Sequence, residues 1–210
     1  MVELNAMVAI LGYSRVPAIR FAVDRTRPTS LERLVHCLDD LGGVTREVLT
    51  DRDPAFCVGA TGDGRAILAP EWVDLAGLLG VVPKACRPYR AQTKGKVERM
   101  IRELKESLLP WLSGQALPRE PALADYDALA HRWIGEVVLG RRHRTTGRIV
   151  GEAWAEERPN LEPIPARVLA ALSGRPLACP PPAGRIVDLE QRRRGDHVQP
   201  RDLAEYEAAR

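Results

Sequence analysis

No stretch of this 210-residue sequence approaches the ~20 consecutive apolar residues that a membrane-spanning helix requires. The opening segment, MVELNAMVAILGYSR, has neither a basic leader nor a small-residue cleavage site, so a secretory signal is not expected. No two of the four cysteines, Cys37, Cys57, Cys86 and Cys179, form a CxxC unit. The four histidines complete no zinc spacing. The cysteines read instead as small buried hydrophobes in a reducing cytoplasm. The sequence holds no internal repeat. With a net charge of only +3, the molecule as a whole is not strongly basic.

What is there is ordinary globular material: 45% hydrophobic and 28% charged. The length suits one domain plus an appendage, or two small domains. The charge is unevenly placed. Between Lys84 and Lys105 lie eight basic residues against two glutamates, Glu98 and Glu103. This patch includes Arg87, Arg90, Lys94, Lys96, Arg99, Arg102 and Lys105. It suggests a phosphate backbone more than a small acidic ligand.

The pattern of elements is mixed. NAMVAIL (5–11) is a continuous apolar run, which predicts a strand covered on both faces. GYSR turns the chain into AIRFAV (18–23), a second strand. TSLERLVHCLDDLGG (29–43) is a helix, with Thr29 and Glu32 in a capping-box pattern and two glycines at its end. VTREVL (44–49) is a strand, 57–68 a loop or small hairpin, 70–80 a short helix and 81–86 a short strand. From Thr93 to about Trp111 the spacing predicts a helix with Val97, Ile101, Leu104 and Leu108 buried. Residues 122–139 predict another, with Leu123, Tyr126, Ala130, Trp133 and Val137 inward. The order of elements points to an α/β layer fold. The four tryptophans read as core, and the RRR run at 192–194 as a charged tail.

Two carboxylates have surroundings suited to chemistry. Asp51 follows the end of a predicted strand, where sites in open α/β sheets gather. Glu98 stands amid the basic residues, on one helical flank with Arg102 and Lys105. Hard oxygen ligands of this kind suit Mg²⁺, and paired metal ions serve phosphodiester chemistry. The surrounding lysines and arginines would hold a phosphate backbone without reading sequence. The plainer alternatives are a turn residue for Asp51 and a solvated helical ion pair for Glu98. Asp53 reads as a turn residue, and the RRHRTTGR cluster (141–148) as a DNA contact or a solvated helix end.

The order of these pieces resembles the DDE transposase/integrase superfamily, whose catalytic core is ribonuclease-H-like. The likeness is greatest to the IstA-type transposases of bacterial insertion sequences. It rests on LNAMVAILGYSR, on GGVTREVLTDRDPAF around Asp51, on CRPYRAQTKGKVERMIRELK around Glu98, and on RRHRTTGRIVGEAWAEERPNLEPIP (141–165). The resemblance implies that Asp51 and Glu98, with 46 residues between them, are catalytic metal ligands. It implies Mg²⁺ or Mn²⁺, two ions in an intact relative.

The family's first Asp lies on a strand upstream of the LGYSR segment, central in the sheet, whereas this chain begins at that segment. Asp24 falls one strand too late and reads as a strand-end residue. The expectation is therefore an N-terminally truncated ribonuclease-H-like mixed sheet flanked by helices. It would lack the central first strand and expose strand edges inside the sheet. A truncated core (1–115) would be followed by a helical extension (116–160) and a proline-rich linker with a charged tail (161–210). Strand transfer by the chain alone is expected to be inefficient, leaving DNA binding or interference with intact transposase as the alternative activity. Expected partners are transposon-end and target DNA, further transposase subunits and a helper ATPase. The expected location is the bacterial cytoplasm, at the nucleoid.

Overall fold

The chain enters as a β-hairpin. β1 (Asn5–Ile10) pairs antiparallel with β2 (Pro17–Ala22), Asn5 facing Ala22 and Ile10 facing Pro17. The direction of the ladder follows from one bond. The Phe21 N–H donates to Asp127 Oδ1 at 2.8 Å, so it points away from β1. Facing residues of an antiparallel pair exchange both hydrogen bonds or neither. Phe21 and Ala6 are therefore a non-bonded pair, and the β1–β2 bonds run through Asn5, Met7 and Ala9. The next bonded position, Leu11 N–H to Val16 O at 3.1 Å, keeps the same alternation. Pro17 falls in the non-bonded set, where its missing N–H removes no ladder bond.

The computed structural model describes residues 4–86, 101–102 and 104–172. All of them belong to one unit, Met1–Cys179.

α1 (Arg27–Leu41) starts earlier than the sequence suggested. Its cap is Thr26, whose side chain accepts the Thr29 N–H at 3.5 Å. Pro28 sits in the first turn, where its fixed φ suits the helix and no donor is lost. Thr29 is thus inside the helix and not its cap. Gly42, at φ 96°, closes the other end in the left-handed conformation. Gly43 follows at φ 144° and packs against the backbone of Glu162. Val44 and Glu162 there exchange backbone bonds of 2.8 and 2.9 Å.

β3 (Glu47–Thr50) pairs in parallel with β6 (Val82–Ala85). Between them come a small hairpin, β4 (Cys57–Ala60) with β5 (Ala66–Leu68), and α2 (Pro70–Leu79). The buried residues of α2, Trp72, Leu75, Ala76 and Leu79, follow helical spacing.

α1 divides two apolar cores. Leu31, Leu34, Val35 and Leu38 pack with Phe56, Trp72 and Leu75, and with Val48 of β3. Cys37 and Leu41 pack with Ile19, Phe21, Trp133 and Val138. Met7 of β1 touches both cores. Among the described residues β1 hydrogen-bonds to β2 and β3 to β6, with no bond between the two pairs. β1, although a continuous apolar run, is only half-buried over Met7–Ile10 and not the fully covered strand the run suggested.

The remaining helices are irregular. A π-helical turn, Leu104–Leu108, leads into α3 (Leu109–Ser113). Leu104 and Leu108 are buried as expected, but Ile101 is exposed. Val97 lies outside the described residues. α4 (Leu123–Trp133) continues as a second π-helical turn, Ile134–Val138. The buried face is Asp127, Ala130, Trp133, Ile134 and Val138. The expected stripe packs inward as a whole, with Leu123, Tyr126 and Val137 half-buried against the same core, and the structure adds Asp127, a charged residue facing inward, and Ile134 and Val138 at the π turn. α5 (Val150–Glu157), a 3₁₀ turn (Arg158–Asn160) and α6 (Ala166–Leu172) complete the described chain. Among the described residues no helix is long and apolar enough to cross a membrane.

Trp72 and Trp133 are fully buried, as the sequence suggested. Trp111 and Trp154 are half-buried, each with an arginine over its ring, Arg132 at 4.9 Å and Arg158 at 5.4 Å.

Candidate functional site

The β3–β6 pair delivers the chain to Asp51, the first residue beyond the carboxyl end of β3. The loop that follows is held on all sides. The Cys86 N–H donates to Thr50 O at 2.9 Å. Arg52 donates through Nε to Cys86 O at 3.0 Å and through Nη2 to Gly64 O at 2.7 Å, tying the loop to the β4–β5 turn. Asp53 is a turn residue: Oδ1 accepts the Ala55 N–H at 2.9 Å, and its carbonyl accepts the N–H groups of Phe56 and Cys57. Asp53 Oδ2 also meets Arg25 Nη2 at 2.6 Å, joining the loop after β2 to the loop after β3. Arg27 adds a bond to Pro54 O at 3.1 Å.

Within this fixed loop the Asp51 side chain is exposed. Oδ1 accepts the Asp53 N–H at 3.3 Å. Asp51 is therefore a hard oxygen donor on a braced backbone, at a strand's carboxyl end, turned to solvent. Two thiols border it. Cys57 is buried, and its Sγ lies 3.9 Å from Asp51 O. Burial pushes both the Cys57 and the Cys86 thiol pKa up, with the Asp51 charge adding to the effect.

Asp24 does not join Asp51 as a ligand. Its Oδ1 accepts the N–H and the hydroxyl of Thr26, at 2.9 and 2.8 Å, immediately before α1. Those bonds hold its carboxyl below the usual carboxylate range. It is the strand-end residue that the sequence suggested. Among the described residues no group of three His, Cys, Asp or Glu side chains is placed to hold a metal ion. Asp51 fits a single metal ligand by chemistry and exposure. Its expected partner Glu98 lies outside the described residues, as do Arg87, Arg90, Lys94, Lys96 and Arg99.

Of the basic patch, Arg102 and Lys105 are described and both are exposed. Lys84 is paired with Glu47 at 2.6 Å. In the 141–148 cluster, Arg148 bonds Glu156 and the Tyr13 hydroxyl, and its guanidinium lies over the Tyr13 ring. That arginine serves the fold. Glu157 completes the arrangement by accepting the N–H groups of Tyr13 at 3.2 Å and Ser14 at 2.7 Å. The GYSR segment is thereby a clamped turn.

Sequence reasoning passed over Arg25 and Arg52, which brace the Asp51 loop. No spacing signalled them, because each acts on a backbone or a carboxylate distant in sequence.

No protein-family model matches the chain. The chain is 35% identical over 170 residues to the putative transposase for insertion sequence element IS5376 of Geobacillus stearothermophilus, covering 79% of this chain and 39% of that protein. It is 30% identical over 163 residues to the transposase for insertion sequence element IS21 of Pseudomonas aeruginosa, covering 78% and 40%. These relatives are transposases of bacterial insertion sequences, consistent with a member of the DDE transposase/integrase superfamily. The chain spans about two fifths of the length of these two curated relatives.

Among solved structures, a chain of the simian T-cell lymphotropic virus intasome in complex with PP2A regulatory subunit B56 gamma superimposes at TM-score 0.56. The identity is 19%, over 76% of this chain and 50% of that one. That likeness supports the ribonuclease-H-like α/β architecture of the superfamily.

Proposed function

We propose that this chain contributes a core of a DNA transposition enzyme, with Asp51 and Glu98 as carboxylate ligands for Mg²⁺ or Mn²⁺. The observation that carries the reading is Asp51 itself: an exposed carboxylate on a braced loop at the carboxyl end of β3, in a chain related to insertion-sequence transposases. Metal ions bound there would supply activation of the attacking oxygen and stabilisation of the leaving one. The chain's own residues position them. Arg52 and Asp53 fix the loop, and Asp51 presents one oxygen donor. Arg87, Arg90, Lys94, Lys96, Arg99, Arg102 and Lys105 hold the DNA backbone by charge.

The same reading gives the chain transposon-end and target DNA, other transposase subunits and a helper ATPase as partners, at the bacterial nucleoid. It divides the chain into a core to residue 115, a helical extension to 160 and a tail.

A second reading, a DNA-binding or interfering subunit without catalysis of its own, is favoured by one observation. Asp53, the carboxylate nearest Asp51 in sequence, is engaged by Arg25 and by its own turn.

One experiment separates the two. Binding of the full chain to duplex DNA is measured against salt, and Mg²⁺-dependent nicking is followed with wild type, Asp51→Asn and Glu98→Gln. The first reading expects nicking that both variants lose while binding stays within about threefold. Salt-sensitive binding without nicking selects the second. Absence of DNA binding at low salt overturns both.

A further inference from the structure

Two turns that lie far apart in sequence are tied together at one end of the β1–β2 hairpin, and each carries an arginine without a partner. The first is the hairpin turn itself. Glu157 holds it by accepting the Tyr13 and Ser14 N–H groups at 3.2 and 2.7 Å. Arg15 follows at φ 66°, the one left-handed residue other than glycine among the described residues. Such a backbone is uncommon for a long side chain and persists only where its surroundings impose it. Arg15 is half-buried, and its Nε is shielded from water without an acceptor. The neighbouring acids, Glu156 and Glu157, are taken by Tyr13, Ser14 and Arg148.

The second turn spans 142–149 and is closed by an Arg142–Ile149 bridge. Inside it the His143 N–H donates to Arg148 O at 2.7 Å and the Gly147 N–H to His143 O at 2.8 Å. The Thr146 N–H donates to His143 Nδ1 at 3.3 Å. Gly147, at φ 66°, supplies the left-handed step. Arg144 and Thr145 stand at the tip, both exposed. Arg148 reaches from this turn to the first, its guanidinium 5.2 Å from the centre of the Tyr13 ring. One surface therefore carries both turns. Among the described residues the side chains of Arg15 and Arg144 have neither a hydrogen bond nor an ion pair.

This surface is remote from Asp51. The ladder runs six rungs, from Ile10 facing Pro17 beside the turn to Asn5 facing Ala22. Just beyond Ala22, Arg25 meets Asp53 of the Asp51 loop at 2.6 Å. The turn and that loop lie at opposite ends of the hairpin, roughly 20 Å apart.

We infer that Arg15 and Arg144 form a further contact for the phosphate backbone of duplex DNA, one hairpin length from Asp51 and additional to the basic residues between Lys84 and Lys105. The inference rests on the DNA reading above and extends it. Unpaired guanidinium groups and the Thr145 hydroxyl suit phosphate oxygens, which fix position without reading sequence. Both turns are fixed by their own hydrogen bonds, so little backbone order is lost on binding. A duplex running from the Asp51 loop to this surface is gripped about six base pairs from the reacting end.

The test is binding of the full chain to a duplex of about 30 base pairs, followed by fluorescence anisotropy across a salt series. The variants are Arg144→Ala, Arg144→Lys and Arg15→Gly, each also unfolded in urea. Glycine suits φ 66°, so Arg15→Gly removes the side chain without a loss of unfolding midpoint. Arg15→Gln takes its place if that midpoint falls.

Each lost phosphate contact lowers the slope of log K against log salt by about 0.9. That fall is expected for Arg144→Ala and for Arg15→Gly, with about twice as much for the double variant. Arg144→Lys keeps the charge and the slope of the wild type. Normal wild-type binding with unchanged slopes in the variants overturns this inference and leaves the DNA reading standing. A fall in only one of the two turns overturns the shared surface, and an equal fall in Arg144→Lys overturns a contact by charge. A wild type that binds no DNA at low salt overturns both readings.

Discussion

Asp127, on α4, accepts the backbone N–H of Phe21, on β2, at 2.8 Å, and it does so as a carboxylate only 5% exposed. Arg20 and Arg33 lie 3.4 and 3.6 Å from its other oxygen. Arg20 also grips Asp40, which His131 meets at 2.9 Å. One buried acid thus joins β2, α1 and α4. Asp127→Ala leaves an N–H without its acceptor and two partly buried arginines short of a counter-charge. The expected loss is about 3 kcal/mol in urea unfolding. Asp127→Asn keeps an acceptor and is expected to lose less.

Glu157 latches the hairpin turn through two backbone N–H groups. Glu157→Ala is expected to destabilise the chain by about 1–2 kcal/mol. Amide exchange at Tyr13 and Ser14 should accelerate well beyond that of β2. Equal acceleration at Tyr13, at Ser14 and along β2 would point to global loss and not to the latch.

Gly43 has no room for a side chain. A Cβ there would press into the carbonyl of Glu162, and its φ of 144° is one that L residues rarely adopt. Gly43→Ala should lower stability by about 2 kcal/mol or more. Gly77→Ala, inside α2 with nothing near the added methyl, should be neutral or stabilising. The pair is compared by midpoint in one denaturation series.

Asp24 sets an acid-side signature. Its folded-state pKa is depressed by the bonds from Thr26, so its contribution is present above the unfolded value and vanishes as pH falls through the folded one. The stability gap between wild type and Asp24→Ala should therefore be constant near neutrality and close below about pH 4. A gap that widens on acidification would contradict the assignment.

The thiols should react in order of access. Cys37 is fully buried and its pKa is raised by burial, so it stays protonated and shielded. Alkylation mapped by mass spectrometry at pH 8 should mark Cys86 before Cys57, and Cys37 only after unfolding.

The legible parts of the sequence were those governed by local rules. The short helix over 70–80 with Pro70 in its first turn and the two-glycine stop after Leu41 were readable because each involves neighbours within a turn. The strand-end place of Asp51 was readable for the same reason. The cap at Thr26 was misplaced because Thr29 and Glu32 match a capping-box spacing one turn further on. The inward turn of Asp127 and the bracing by Arg25 and Arg52 were not legible. Their partners lie far along the chain and exist only once the layers meet. The GYSR segment was quotable as a likeness, yet its reason, a pair of glutamates at 156 and 157, had no local trace.

That latch also orders events in time. Residues 12–15 leave a ribosome long before Arg148, Glu156 and Glu157 exist, so the hairpin must wait through more than half the described chain for its closure. Contacts of such sequence separation slow folding, because the intervening loop must be closed before they reward it. During that interval the apolar residues of the hairpin lack the later helices they will pack against, which is when a nascent chain is most prone to associate with others.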